Sequence, residues 1–491
     1  MEQGNYWAEG PRRQWIFYAG DNSSLEGLSE KIDPSQVFCP EDAQAVNLGI
    51  RRVKGRLYAG NYVGLCRLKG INGRNLTARD GREVILKVRP RFPLSAVDLL
   101  NIIREDDEFD RYLAPQTTRI GAADREVEDL IDNELFHFFT DEDPIFIQDE
   151  IAQESSIITA SVFISLLRSL CSRPLMGRTV SREENLTGKA RGRIVFSRNI
   201  RHNTLRGRDD RLYCRYLQYT EDILENQILK AALKKAEAFL SQYFFSVSGG
   251  GGRLREMAAC CKNALSHVSY RKITRFDLSG IKTTGVYVSY KPVISAAKMV
   301  LNEITLEANG NTAATSYVIP YAVSMEKLFE MYVRSYLKKA GVYSFDSQEE
   351  GLRMARFDEK TAVLRERDKS YANYIGGNIK PDIVIYHSQT GRHAVFDVKY
   401  KDPSGARFSR ADRLQILAYG LMFDCEHVGN IFPSRGGNIC YHSNGINSGE
   451  EKARYYHQLE LAVDGSRTFR MYSELDKGYI EIMDYLHRLL G

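Results

Sequence analysis

The stretch that decides the fold is residues 378–401, NIKPDIVIYHSQTGRHAVFDVKYK. Two short apolar runs, IVIYH and HAVFDV, flank a turn segment in which Gly391 permits a tight return. The spacing predicts an antiparallel hairpin. Side chains alternate along a strand, so Asp397 and Lys399 share one face while Phe396, Val398 and Tyr400 share the other. Such a strand reads as half-buried, with its charged face at a site. The first strand opens just after Asp382, and the return of the chain carries Asp382 toward Asp397. The register itself stays open in the sequence.

Two carboxylates facing one lysine are poor packing material. Hard divalent cations such as magnesium take oxygen ligands, often one or two protein carboxylates plus substrate phosphate oxygens. An ion of that kind lowers the pKa of a bound water and neutralises charge on a phosphodiester under in-line attack. A lysine beside it orients or helps deprotonate the water, or holds the scissile phosphate. An isolated D-x-K carries no such weight, and an exposed ion pair is then the better reading. Here P-D, an apolar strand, a turn, a second apolar strand and D-x-K follow one another, an order that resembles the PD-(D/E)xK nuclease fold.

Flanking segments sharpen the reading. Upstream, SMEKLFEMYVRSYLKKAG is an amphipathic helix ending at Gly341, with Glu326 and Glu330 four apart on one face, placed to add a third acid. Downstream, Gln415 and Tyr419 are four apart in the helical RADRLQILAYGLMF, a Q-x-x-x-Y arrangement similar to the RecB-like branch of these nucleases. Lys401, Arg407, Arg410 and Arg413 read as phosphate contacts or, equally, as solvated loop and helix residues. Residues 320–491 therefore form an α/β domain with a mixed central sheet.

Outward from this region the text changes. Residues 116–319 read as mainly helical: EDILENQILKAALKKAEAFLSQYF places Leu224, Ile228, Ala232 and Ala236 on one face. Gly249–Gly252 then break the pattern as a loop before a second helix. An arginine-dominated segment from Arg178 to Arg215 reads as a cluster that contacts phosphate backbones or, alternatively, as an irregular solvated connector or a surface docking on an acidic protein. Residues 1–115 are β-rich, with RLYAGNYVGLCRLKG and REVILKVRPRF as strand runs and SAVDLLNII as a helix start capped by Ser95.

Composition agrees with a multidomain α+β protein. At 491 residues the chain exceeds a single core, and 43% hydrophobic with 27% charged residues is ordinary for a globular chain. A net charge of +5 permits nucleic acid without demanding it. The eight cysteines form no C-x-x-C pair, which predicts reduced thiols rather than a zinc site. Neither a signal peptide nor a membrane span is legible, so the expected location is the cytoplasm. No G-x-x-x-x-G-K-[ST] run occurs, so any nucleotide is bound by another subunit.

Taken together, MEKLFEMYV, KPDIVIY, VFDVKYK, ADRLQILAYG, CRYLQYTEDILENQILKAAL and ILKVRPRFP resemble the McrC-like subunits of McrBC modification-dependent restriction systems. The resemblance implies an endonuclease that docks, through its N-terminal region, on an AAA+ GTPase ring of McrB type. It stimulates the ring's hydrolysis and cuts double-stranded DNA carrying modified cytosine. It further implies Mg2+ or Mn2+ held by Asp382, Asp397 and Glu330 with Val398, Glu326 standing in reserve. Lys399, Gln415 and Tyr419 are the remaining catalytic positions it implies. Two other readings remain open: an adaptor whose main work is to activate a nucleotide-hydrolysing ring, and a stand-alone repair nuclease of the same fold.

Overall fold

The computed structural model describes residues 4–10, 13–40, 45–92, 99, 135–139, 145–147, 149–244, 252–279, 281, 289–307, 316–318, 320–344, 352–354, 381–401, 410–434, 440–446, 454–462 and 484–491. The chain divides into two compact units. The first joins residues 1–121, 132–155 and 313–491; the second comprises 122–131 and 156–312. This differs from three consecutive segments bounded at 115/116 and 319/320. The reason is a sheet that recruits strands from beyond both boundaries.

That sheet begins with β1 (Tyr6–Gly10) and β2 (Gln14–Gly20); the short β3 (Arg51–Val53) and β4 (Arg56–Tyr58) pair separately as a ribbon. Next come β5 (Tyr62–Arg67), β6 (Glu83–Arg89), β7 (Phe136–Phe138) and β8 (Ile145–Ile147). The order is β1-β2-β6-β5, then the later strand β13 (Tyr321–Ser324), then β7. EVILKVR buries Val84, Ile85, Leu86 and Val88 completely, the mark of a strand covered on both faces, and β6 accordingly lies inside the sheet. YAVS is likewise buried throughout and needs a neighbour on each side, which β5 and β7 supply.

Gly64 in β5 has φ 148°, and a Cβ there would lie 2.1 Å from the Tyr321 carbonyl oxygen of β13. Only glycine lets these backbones approach so closely. Gly64→Ala is expected to destabilise the protein by about 1–3 kcal/mol, read as a lowered denaturation midpoint; an unchanged midpoint would contradict this packing.

The second unit carries long helices, among them Leu224–Phe244 and Lys291–Glu307, which pack on one another. Ile228, Ala232 and Ala236 are fully buried on the face that the four-residue spacing predicts. After the glycine run, the next helix starts at Gly252; residues 245–251 lie outside the described residues, as do Ser95 and all of SAVDLLNII except Leu99.

The arginine-rich segment is not an irregular connector. It forms an antiparallel sheet of β9 (Arg178–Thr187), β10 (Arg193–Ile194) and β11 (Arg211–Thr220). Leu186, Cys214 and Tyr216 make a small buried cluster on one side. On the other, Glu183 lies opposite Arg215 in register and also binds Arg198.

Returning to the first unit, β12 (Ser316–Val318) pairs with β8, and β13 leads directly into the helix Met325–Lys339, capped by the Ser324 hydroxyl. A seven-stranded mixed sheet follows. Its strands are β14 (Tyr343–Ser344), β15 (Leu352–Met354), β16 (Ile383–His387), β17 (His393–Val398), β18 (His427–Ser434), β19 (Cys440–Ile446) and β20 (Arg454–Ala462). The order is β14-β15-β16-β17-β18-β20-β19, with β17, β18 and β20 parallel and β16 antiparallel to β17. The helix Arg410–Met422 makes the crossover between the parallel strands β17 and β18. Because β17 is central, it is buried on both faces rather than half-buried.

Among the described residues no helix is long and apolar enough to cross a membrane. Cys39, Cys66, Cys171, Cys214, Cys260, Cys261 and Cys425 are free thiols.

Candidate active site

The hairpin register places Ile383 opposite Phe396, so one further step brings Asp382 opposite Asp397. Gly391 closes the turn at φ 70°, a conformation that favours glycine. At the open end, the Asp382 Oδ2 accepts a 2.7 Å hydrogen bond from the Val398 amide. Asp397 is only 2% exposed, and its Oδ2 lies 2.6 Å from Lys399 Nζ. The period of two along the strand thus becomes an ion pair on one face.

The crossover helix completes the group. Gln415 and Tyr419 sit one turn apart on the same helical face. The Gln415 amide donates to Tyr419 Oη at 2.8 Å and to Asp397 Oδ1 at 3.5 Å, and its carbonyl accepts from Lys399 Nζ at 3.3 Å. Asp382, Asp397, Lys399, Gln415 and Tyr419 therefore form one connected cluster.

Charge in this cluster is organised by burial and pairing. Burial alone would lower the Lys399 pKa, but the Asp397 charge and hydrogen bond, with Asp382 and Asp412 behind them, raise it above 10.5. Lys399 is thus an ammonium in this arrangement. The Tyr419 hydroxyl is pushed up first by burial, then by the charges of Asp397, Asp382 and Glu330, and it stays neutral.

Glu330 and Glu326 separate. Glu330 is 5% exposed, and its Oε2 lies 3.3 Å from Lys327 Nζ. Its charge reaches Tyr419, but among the described residues no three His, Cys, Asp or Glu side chains gather into a metal-holding group. Glu326 is exposed and accepts a 3.2 Å hydrogen bond from Asn61. The donors that remain for a metal are the two aspartates and the Val398 carbonyl. That all-oxygen set fits a hard divalent cation, for which one or two protein carboxylates suffice.

Of the basic positions, only the side chain of Lys401 falls among the described residues. Lys401 is half-exposed and pairs with Asp412 at 2.9 Å. Arg407 and the side chains of Arg410 and Arg413 lie outside the described residues.

Two residues were missed at the sequence level. Arg334, fully buried one turn after Glu330, donates from Nη1 to the Asp382 carbonyl at 3.3 Å. Asn430 on β18, also fully buried, donates to the Asp397 carbonyl at 3.3 Å and accepts from Tyr456 Oη at 3.1 Å. The only signal in the text is a charge at Arg334 on an otherwise apolar helix face; a buried Asn in a strand gives none.

Comparison with known proteins follows from this geometry. A family model described as McrBC 5-methylcytosine restriction system component matches residues 59–433, more than half of the chain. Two solved structures from Thermococcus gammatolerans are similar. One, a refined half-complex from a tetradecameric assembly of McrB AAA+ hexamers with bound McrC, is 12% identical with a TM-score of 0.39. It covers 95% of this chain and 100% of that chain. The other, a cryo-EM structure of the McrBC complex, is 14% identical with a TM-score of 0.28, covering 67% of this chain and 89% of that chain. No curated protein matches.

Proposed function

Because this chain belongs to the McrBC family of 5-methylcytosine restriction system components, we propose that it is the metal-dependent DNA endonuclease subunit of such a system. The observation that carries this reading is the single cluster in which Asp382, Asp397, Lys399, Gln415 and Tyr419 meet at the open end of the β16–β17 hairpin. The arrangement is of the PD-(D/E)xK kind. It supports hydrolysis of a phosphodiester in double-stranded DNA carrying modified cytosine.

A magnesium or manganese ion held by Asp382, Asp397 and the Val398 carbonyl would supply a water of lowered pKa and neutralise charge on the phosphate. Everything else is the work of this chain. The Lys399 ammonium places a fixed positive charge beside the carboxylates, where negative charge builds on a scissile phosphate. From there it orients or helps deprotonate the attacking water, or holds the scissile phosphate. Gln415 orients Lys399, and neutral Tyr419 holds the Gln415 amide. Arg334 and Asn430 secure the backbone at Asp382 and Asp397, which keeps the two carboxylates in fixed relation. Glu330 contributes its negative charge near Tyr419 rather than a place in that ligand set.

Family membership and the missing P-loop support an AAA+ GTPase ring of McrB type as the partner that recognises the modified base. The test is cleavage of cytosine-modified DNA by this chain with its ring. Cutting is expected with magnesium and is expected to stop on chelation. Cutting that persists in excess chelator would refute the metal-dependent reading.

A second role in the same chain, activation of that ring, is favoured by the β9–β11 sheet and the neighbouring helix Phe196–His202. There Phe196 is 71%, Leu205 77% and Leu217 72% exposed among exposed arginines, more apolar surface than a solvated face needs.

A further inference from the structure

The end of the N-terminal sheet that faces the nuclease domain is built around a buried ion pair. Strands β2 and β6 run parallel and finish in register at Gly20 and Arg89. Just beyond them, the Asp21 carboxylate, with no exposed side-chain surface, accepts from the Arg91 amide at 2.6 Å and from Arg91 Nε at 3.1 Å. The Arg91 guanidinium is thereby set 5.2 Å from the centre of the Tyr400 ring. Phe92 meets the same ring edge-on at 5.0 Å, and Phe329 packs on it at 5.8 Å. Tyr400 immediately follows Lys399, and Phe329 immediately precedes Glu330. Phe92, Phe329 and Tyr400 are all buried.

The same sheet end also grips the helix that carries Glu330. The Asn61 carbonyl accepts from the Met325 amide and the Asn61 side chain donates to Glu326, both at 3.2 Å. Asn22, next to Asp21, donates in turn to Asn61.

Stability alone does not explain the Asp21–Arg91 pair. Burial outweighs Arg91 and raises the Asp21 pKa above 3.8. A carboxyl raised in this way favours the fold only when protonated, and that contribution is lost as pH rises through its folded value. Pairs of this kind often add little net stability, and what they provide is a defined geometry.

We infer that the Asp21–Arg91–Phe92 corner is a positioning element of the active site, which fixes Lys399 through the Tyr400 ring. This rests on the nuclease reading above, and the N-terminal sheet is then part of the catalytic machinery's frame. A load applied to that sheet, by a bound partner for example, is transmitted to Lys399.

Three forms of the full-length chain test it: the double variant Asp21→Asn with Arg91→Met, Tyr400→Leu, and Tyr400→Phe. Each is measured for DNA cleavage with its partner ring, for thermal unfolding, and for the rate at which an amine-acylating reagent labels Lys399, followed by mass spectrometry. The double variant removes both charges and is expected to keep or raise the unfolding temperature. Even so, its kcat is expected to fall on the order of 10- to 100-fold, the effect of a misplaced catalytic group, with KM for DNA unchanged. Lys399 should label faster as its hold on Asp397 loosens. Tyr400→Leu should behave alike, and Tyr400→Phe, which keeps the ring, should match the wild type.

Wild-type kcat and wild-type labelling in the folded double variant would overturn the inference, whether or not Tyr400→Leu folds. Should the wild type itself cut no DNA, the nuclease reading fails, and the labelling of Lys399 still decides whether this corner positions it.

Discussion

Asp397→Ala is expected to reduce cleavage of modified DNA by about 10³-fold or more, because it removes both a ligand of the proposed ion and the counter-charge of Lys399. Asp397 is nearly inaccessible, so the loss cannot be blamed on a surface contact. The isosteric Asp397→Asn should lose activity just as far while keeping its volume and packing. Stimulation of the partner's GTP hydrolysis, measured on the same Asp397→Asn protein, should persist, since the ring-activating role is assigned to the second unit. Undiminished cutting by either variant would remove Asp397 from the mechanism; lost stimulation would remove the assignment of ring activation.

Lys399→Met should produce the next largest effect, a fall in cleavage of about 10²–10³-fold, as for the loss of one charge-stabilising group. It also strands a buried carboxylate, and breaking a pair of this kind costs about 3–5 kcal/mol. Lys399→Arg separates the two effects: charge and stability are largely kept, but the flat guanidinium cannot stand where a compact ammonium does. A stable, inactive Lys399→Arg protein is the expected outcome, read by chemical denaturation and by DNA cleavage. An arginine variant with full activity would mean that any cation suffices there.

The pH dependence follows from the same pair. The Lys399 pKa is raised in the folded chain, so the pair's contribution is fully present below 10.5 and is lost only as pH rises through the higher folded value. The stability of the metal-free chain, followed by thermal unfolding, should therefore show no Lys399-linked decline across neutral pH.

The candidate site was legible to a degree that is unusual for its flanks. The hairpin was readable because its signals are local: an apolar alternation, one glycine, and charges at fixed offsets within the strand. The i,i+4 pair Gln415 and Tyr419 was readable for the same reason. The β9–β11 sheet was not. Its charges lie in dense runs that resemble a solvated connector, and the pairing that makes them a sheet, Glu183 against Arg215 and Arg198, joins residues far apart in the chain.

What the sequence by itself determined is the hairpin and its charged face. Alternation along an extended chain settles these without long-range contacts. Tertiary structure alone decided that Asp382 stands opposite Asp397 and that Arg334 and Asn430 secure the backbone. It alone also brought Asp21 and Arg91 to Tyr400, across more than three hundred residues of chain. Register and burial depend on which surfaces meet, and a sequence lists neighbours only along the chain.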